Sequence, residues 1–447
     1  MGSTVTGYQL RLAGVYATRW RCPGQPDTRT RAAELPGELA DFYRMFEDQG
    51  PYQLPDLLRR ASPDPATVRF GAGAASHPIP RLTSVEVLVF TLPFPADQVV
   101  ASLLLRVDAP DLNINPVLAT RILDDCMEAA VNIDGVDLAA YVDNLLADAP
   151  VLPVIPPYAQ RQDRMPLERH QLVFIPDLRG APPVEGSVIR RMLNGSRPGF
   201  TALNPLEDLI DNGGYAAVGA RASFLSGHSD EVQTSVFLTT VQAVGTASRF
   251  QQIWQEAYHY VQQFQDQAQR AEPGLQRRED LAELADRMGN LELDLAFSVQ
   301  TAADLGLNPS TRIESFHDAL YDVMQVEVRA RTVGQMFDRL GGSIRSELTA
   351  IESRERQEED RRRSAGALAV GVLSFIIAPV TFLLGFFGTN VSQAHAGDSM
   401  WNGEYAWAYI TAALLAVVPL VTVLVLRRLT RRHRAAAPGG AVPRPGG

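Results

Sequence analysis

The chain has 447 residues, a length typical of two or three domains. Its formal net charge is −10, and this acidic balance argues against a nucleic-acid-binding protein. The two cysteines, Cys22 and Cys126, stand far apart without a CxxC motif, which excludes a disulfide framework and a cysteine zinc site. The first residues contain no apolar run of signal-peptide length, so we expect no cleaved export signal.

Residues 1–230 predict a cytoplasmic domain of mixed α and β structure. Apolar and β-branched segments predict strands at Ser84–Leu92, Val99–Val107, Gln171–Ile175 and Tyr215–Leu225. Apolar residues at helical spacing predict helices at Pro116–Val131 and Val136–Leu146. The domain has no phosphate-binding glycine loop, no HExxH and no Gly-x-Ser-x-Gly, so we do not expect an enzyme. We interpret the isolated His77, His170 and His228 as ordinary polar or capping residues.

Residues 231–363 predict a helical stalk. Two helices are expected at Glu231–Arg270 and Gln276–Leu305. In the first, aromatic and apolar residues recur at spacings of three and four and predict a packing face: Phe250, Trp254, Tyr258 and Val261. In the second, a stripe of apolar residues predicts another packing face: Leu281, Leu284, Met288, Leu291 and Leu295.

A third stalk helix is predicted to begin at Asn308-Pro309, a plausible N-cap followed by a first helical proline. Its apolar stripe continues past Gly341-Gly342, and the charged segment Glu352–Arg363 contains no helix breaker. The pattern therefore predicts one helix from Pro309 to Phe387.

Two uncharged runs, Ala365–Phe387 and Ala406–Leu426, are long enough to cross a bilayer as helices. Arginines precede the first run and follow the second, whereas the loop Gly388–Tyr405 contains none. This arrangement predicts a multi-pass protein of the cell membrane with both termini in the cytoplasm. The membrane domain would comprise residues 364–434, and residues 435–447 would form a disordered tail.

Small or weakly polar residues recur at helical spacing along the first predicted span. These residues are Ser364, Ala367, Gly371, Ser374, Ala378, Thr381 and Gly385. A small-residue stripe suits close contact between helices in a bilayer, and it equally suits a narrow pore lined by several copies of one helix. The sequence leaves both uses open.

Carboxylates outnumber arginines along the stalk, which is typical of a solvated helical surface. The alternative is a set of sites for a hard cation such as Mg²⁺ where neighbouring subunits meet. Glu314, Asp318 and Asp322 are spaced four residues apart, a repulsive arrangement that makes them candidate regulatory metal ligands.

The stretch from Pro379 through Gly388-Thr389-Asn390 to Val391, together with the second span and its arginine cluster, resembles the CorA-like family of divalent metal-ion (magnesium and zinc) transporters. The family ends its first span in Gly-Met-Asn, so Thr389 marks a divergent member. The resemblance implies an α+β cytoplasmic domain, a long α-helical stalk and two C-terminal transmembrane helices, assembled as a homopentamer around the first span.

The resemblance also implies roles for individual residues. Asn390 would form a polar ring that holds a hydrated cation, and Gly388 would let the backbone turn there. Ser364 and Thr381 would be polar pore positions, with Ser374 on the same stripe. The hydrophobic constriction would be formed by Ala367, Val370 and Ala378. Asp398 and Glu404 are the acidic residues that the outer loop offers.

These observations predict a channel or transporter for divalent cations, with Mg²⁺ the first choice and Co²⁺, Ni²⁺ or Zn²⁺ as further substrates. The cation is the substrate, and no covalently bound cofactor is expected. The expected partners are copies of the same chain and the lipid bilayer, without nucleic acid. The alternative is a non-transporting, membrane-anchored ligand sensor built on the same scaffold. A membrane-tethered enzyme is a third possibility, although no nucleophile–base constellation supports it.

Overall fold

The computed structural model describes residues 8–23, 35, 37–47, 54–71, 78–79, 81–92, 97–109, 116–154, 168–175, 193, 204–205, 215–269, 274–303, 313–389, 403, 406–407, 409–414, 417 and 421. A few side chains inside described helices, such as Phe375 and Leu383, are not part of this description. The predicted ring residue Asn390, the loop acids Asp398 and Glu404, and the predicted tail 435–447 lie outside the described residues.

The chain forms two compact units, residues 1–346 and residues 347–447. The first unit combines a large sheet with helices, and a long helical region follows in the sequence. The predicted mixture of α and β structure followed by a helical region is thereby confirmed.

Among the described residues, nine strands form the main sheet. They are β1 (Tyr8–Arg21), β2 (Asp56–Ala61), β4 (Leu82–Thr91), β5 (Gln98–Ala109), β8 (Leu152–Pro153), β9 (Arg169–Ile175), β10 (Asn204–Pro205), β11 (Tyr215–Val218) and β12 (Ala222–Ser226). Their order is β10-β11-β12-β9-β1-β5-β4-β2, with β8 paired to one end of β1. Neighbouring strands are antiparallel, apart from the parallel pair β9 and β12. A small second sheet contains β3 (Arg69–Phe70), β6 (Val131–Ile133) and β7 (Val136–Asp137).

The structure extends and corrects the predicted strands. Three of them are present as β4, β5 and β9, with ends shifted by at most two residues. The predicted strand Tyr215–Leu225 is wrong as a single element, because the chain reverses between β11 and β12. Gly219 begins this reversal, where a side chain would place its Cβ 2.7 Å from the Cβ of Leu193. The central strand β1 was not predicted.

One face of the main sheet carries the hydrophobic core formed with α2 (Pro116–Met127) and α3 (Leu138–Leu146). Ile122 of α2 and Val142 of α3 are buried in the same cluster as Leu103 and Val173 of the sheet. These helices confirm the predicted helical segments, although α2 ends at Met127. A shorter helix, α1 (Gly37–Glu47), lies earlier in the chain and contacts the helix that covers the opposite face.

That opposite face is covered by α4 (Asp230–Gln269), which contacts β1, β5 and β9. Residues 234–250 of α4 are buried on all sides, as expected for a helix enclosed by a sheet and other helices. Phe237 packs edge-on against Phe90, with ring centroids 6.0 Å apart. Gly245 allows the close approach, because a Cβ at that position would lie 3.0 Å from a methyl group of Val100.

Two further helices follow α4: α5 (Gly274–Ala303) and α6 (Glu314–Val323). The predicted apolar stripe of α5, from Leu281 to Leu295, is buried and therefore confirmed. The predicted aromatic face of α4 is only partly correct. Phe250 is buried, but Trp254 and Tyr258 are exposed and stacked on each other, with ring centroids 5.8 Å apart. Because an α-helix turns about 100° per residue, each four-residue step from Phe250 to Trp254 to Tyr258 rotates the side chain by about 40°. The later aromatic residues therefore turn away from the buried side of α4.

The last long helix is α7 (Val326–Thr389), which continues through the charged segment Glu352–Arg363 as predicted. The prediction of one unbroken helix from Pro309 is wrong, because a turn at Met324-Gln325 separates α6 from α7. Gln325 has a φ of 56°, which is incompatible with a right-handed helix. The predicted helix start at Asn308-Pro309 lies outside the described residues.

The second unit contains the remainder of α7 and helical residues between 406 and 421. Within the part of the chain that the structure describes, no helix is both long enough and apolar enough to cross a membrane.

Candidate functional site

The members of the predicted small-residue stripe lie on α7, and all but the half-buried Gly371 are exposed in the single chain. The exposed members are Ser364, Ala367, Ser374, Ala378, Thr381 and Gly385, and the predicted constriction residue Val370 is exposed as well. The Ser364 hydroxyl donates to the carbonyl oxygen of Asp360 at 2.6 Å, so it is satisfied within the helix. Gly388 and Thr389 form the end of α7, and the Thr389 side chain lies outside the described part of the structure.

A row of large apolar side chains follows the same part of α7 and is also exposed. Its members, which we call the apolar row, are Leu373 (59% exposed), Ile377 (51%), Val380 (52%) and Leu384 (70%). Their spacing of three and four residues places them along one side of the helix. Pro379 is buried and lies two residues after Ile377, which is about half a turn around the helix. The apolar row therefore points away from the buried side of α7.

The predicted acidic ligands Glu314, Asp318 and Asp322 lie on the exposed side of α6. His317 Nδ1 is 3.2 Å from Asp318 Oδ1, and the His317 ring stacks on Tyr321. Among the described residues of this single chain, no group of three or more His, Cys, Asp or Glu side chains is arranged to hold a metal ion. A cation bound between copies of the chain stays a prediction.

A charged side chain lies buried between α4 and α5, and sequence reasoning missed it. The Arg249 side chain is 1% exposed, and its Nη2 donates to Asp294 Oδ2 of α5. Its Nη1 donates to Gln252 Oε1 at 3.2 Å. Arg249 is the only charged residue between Glu231 and Glu256, and this isolated charge in a helix of apolar and small residues is the signal that could have revealed it.

The hydrogen bonds of Arg249 continue into the sheet. Gln252 Nε2 donates to Gln98 Oε1 at 2.6 Å. Gln98 Nε2 in turn donates to the Thr18 carbonyl oxygen of β1 at 2.8 Å. Asp294, Arg249, Gln252 and Gln98, which we call the buried polar network, thus connect α5 through α4 to strands β5 and β1.

The electrostatic surroundings of this network are mixed in sign. Burial and the nearby charge of Arg21 lower the pKa of Arg249 to about 10, against the opposing influence of Glu256 and Asp97. Burial raises the pKa of Asp97, whereas Arg21 and Arg249 favour its charged form. Arg249 therefore remains protonated at neutral pH, and its positive charge must be balanced inside the protein.

A histidine–serine contact is buried in the sheet face covered by α4. His170 Nε2 lies 2.8 Å from Ser223 Oγ, and both residues are fully buried. Burial lowers the pKa of His170 to about 3, so its imidazole is neutral at physiological pH. The predicted role as an ordinary polar residue fits this placement, because a fully buried pair has no access to a substrate. His77 lies outside the described residues.

Comparison with known proteins gives little guidance for this chain. No family model matches it, and no curated protein matches it. The solved structure of the full-length CmaX protein is similar at 14% identity with a TM-score of 0.29. The similarity covers 61% of this chain and 92% of the CmaX chain.

Proposed function

We propose that this chain is one subunit of a homo-oligomeric membrane channel or transporter for divalent metal cations, with Mg²⁺ as the first substrate to test. The small-residue stripe of α7 would line the pathway, and the resemblance to the CorA-like family suggests five copies around it. The protein would reside in the cell membrane with both termini in the cytoplasm.

The proposal rests on the change from charged to uncharged residues along α7. The helix is charged up to Arg363, uncharged from Ser364 to its end at Thr389, and exposes the apolar row in the single chain. Exposure of a continuous row of large apolar side chains to water is unfavourable, at about 25 cal/mol for each Å². Lipid and neighbouring copies of the helix would provide apolar surroundings for this surface.

The charges at the start of the uncharged part support the proposed orientation. Arg361, Arg362 and Arg363 are exposed and immediately precede Ser364. Arginines next to a membrane span favour the cytoplasmic side. Asn390 directly follows α7 in sequence, so its amide would lie at the opposite, outer end of the span. An amide oxygen there can accept hydrogen bonds from the waters of Mg²⁺, which gives up its hydration shell reluctantly.

Ion flux into liposomes tests the proposal. The full-length protein is reconstituted, and uptake of Mg²⁺, Co²⁺, Ni²⁺ and Zn²⁺ is followed separately. Ser374→Leu should abolish uptake, because it fills a pathway lined by small side chains. Ile377→Leu on the apolar row is the matched control and should leave uptake unchanged. Asn390→Ala should reduce uptake or relax the choice of ion.

If the correctly inserted wild-type protein takes up none of the four ions, the transport proposal is overturned. The non-transporting, membrane-anchored ligand sensor would then be the better account of the same chain. Equal uptake by the wild type and Ser374→Leu would instead overturn the assignment of the small stripe to the pathway.

A further inference from the structure

Within the described residues, helices α4 and α5 contain several buried polar atoms without a hydrogen-bond partner, two of them in the Arg249–Asp294 pair. Among the described residues, no hydrogen-bond partner exists for Arg249 Nε, Asp294 Oδ1, Ser298 Oγ or Gln242 Nε2. Removing charged groups from water is costly, and incomplete hydrogen bonding leaves part of that cost uncompensated. Stabilisation alone therefore does not account for a charged pair at this position.

Apart from Asp294 and Ser298, the packing surface of α5 is apolar and repetitive. Its buried side chains from Leu281 to Leu295 recur every three or four residues, and the intervening positions of α5 are mostly exposed. An apolar seam that repeats every seven residues buries similar side chains when one helix shifts along the other by seven residues. The apolar contacts alone therefore allow more than one alignment of the two helices. A single buried polar contact removes this degeneracy, because only one alignment pairs the charges.

The same arginine ties this alignment to the sheet. Gln252 lies one turn after Arg249 on α4 and is hydrogen-bonded both to Arg249 and to Gln98 at the start of β5. Gln98 is completely buried and is anchored by the carbonyl oxygens of Thr18 and Trp20. The position of α5 is thus coupled through Arg249 to the ends of strands β1 and β5.

We propose that the Arg249–Asp294 pair is a register lock, a conformational device that fixes the position of α5 along α4 and relative to the sheet. Breaking the pair frees α5 to shift along its apolar seam while the sheet remains folded. The register lock is independent of the proposed transport function, since all of its residues lie in the first compact unit.

The test compares single and double substitutions in the full-length chain. Asp294→Leu leaves the buried guanidinium of Arg249 without its partner, and Arg249→Met leaves the partly exposed carboxylate of Asp294 without its partner. The double variant replaces the pair by apolar side chains. Thermal unfolding reports stability, and hydrogen–deuterium exchange compares α5 with strand β4. Asp294→Asn keeps the shape of the side chain and serves if the other single variants do not fold.

The register lock predicts that the double variant unfolds at or above the wild-type temperature, yet exchanges amide protons in α5 roughly tenfold faster than the wild type. Strand β4 should keep its protection. The exposed pair Arg287 and Glu283 on the same helix provides the control, and the double variant Arg287→Met/Glu283→Leu should leave exchange in α5 unchanged. Asp294→Asn should accelerate exchange in α5 without affecting β4.

The proposal would be overturned if the double variant folds and its α5 exchanges amide protons at the wild-type rate. Apolar side chains would then position α5 as well as the charged pair does. Unchanged exchange in Asp294→Asn would overturn it as well. Equal acceleration of α5 and β4 in either variant would also contradict it, because the pair would then support the whole fold rather than the alignment of one helix.

Discussion

His170 Nε2 and Ser223 Oγ lie 2.8 Å apart between the parallel strands β9 and β12 and are fully buried. A neutral imidazole can share this hydrogen bond, whereas an imidazolium would place a full charge in an apolar interface. Burial accordingly lowers the pKa of His170 from 6.5 to about 3. The unfolded chain binds this proton more tightly than the folded chain does.

We expect stability to fall as the pH decreases from about 6.5 towards 3, and His170 alone contributes up to about 1.4 kcal/mol per pH unit in this window. Above pH 6.5 the contribution is constant. His170→Gln retains a hydrogen-bonding group near Ser223 but does not titrate, so it should flatten the acid side of the profile. Urea unfolding at several pH values measures this. Identical slopes for the two proteins would contradict the assignment.

Gly245 of α4 should not tolerate a methyl group. Gly245→Ala forces a Cβ against Leu92 and Val100, and we expect it to destabilise the protein by about 1–3 kcal/mol. Gly289→Ala on α5 is the control, since nothing lies within 4 Å of its Cβ position. That substitution should stabilise the protein by up to about 1 kcal/mol through helix propensity. Denaturant unfolding of both variants measures these opposite signs, and a stabilising Gly245→Ala would contradict the close packing of α4 on the sheet.

The break between α6 and α7 predicts a second pair of opposite effects. Gln325 has a φ of 56°, so Gln325→Gly should relieve backbone strain and stabilise the protein by roughly 0.5–1 kcal/mol. Gln335 is exposed within α7, and Gln335→Gly should destabilise it by roughly 0.5–1 kcal/mol. Thermal unfolding compares the two variants. Equal destabilisation by both would argue that α6 and α7 are one continuous helix.

We expect Gln98 to contribute strongly to the stability of the fold, although its side chain is uncharged. Gln98→Leu removes the hydrogen bonds to Gln252 and to the Thr18 carbonyl oxygen, leaving buried polar groups unpaired. We expect a loss of about 1–3 kcal/mol in the free energy of unfolding. Gln265→Leu at an exposed position of α4 should change it by less than about 0.5 kcal/mol. Similar losses in the two variants would show that the buried polar network contributes no specific stability.

The sequence was most informative where one periodicity dominates. The long helices α4 and α5 were predicted within about two residues at each end, because apolar spacing persists over many turns. The strands β4 and β5 were recognisable as apolar, β-branched runs.

The central strand β1 was not recognised because it is buried on both faces and contains Gly14 and several small residues. Alternation of apolar and polar residues is therefore weak along it. The break at Gln325 was missed for a related reason. A single residue in the left-handed region needs no glycine or proline, so the composition carries no signal there.

The candidate sites divide in the same way. The small stripe of α7 follows from helical periodicity alone, whereas the apolar row was recognised only from the exposure of its side chains in the structure. The buried polar network joins residues more than 150 positions apart in sequence, from Gln98 to Gln252, so only the folded chain shows it.

The central claim is that the small stripe of α7 faces water inside a membrane while the apolar row does not. Cys22 and Cys126 are both buried, so the native chain offers a low background for labelling with thiol reagents. Ser374→Cys and Ile377→Cys are reconstituted separately and treated with a membrane-impermeant, water-soluble methanethiosulfonate. We predict that Ser374→Cys reacts and loses ion uptake, whereas Ile377→Cys stays unmodified. Equal reactivity of the two cysteines, or none at Ser374→Cys, would contradict the account.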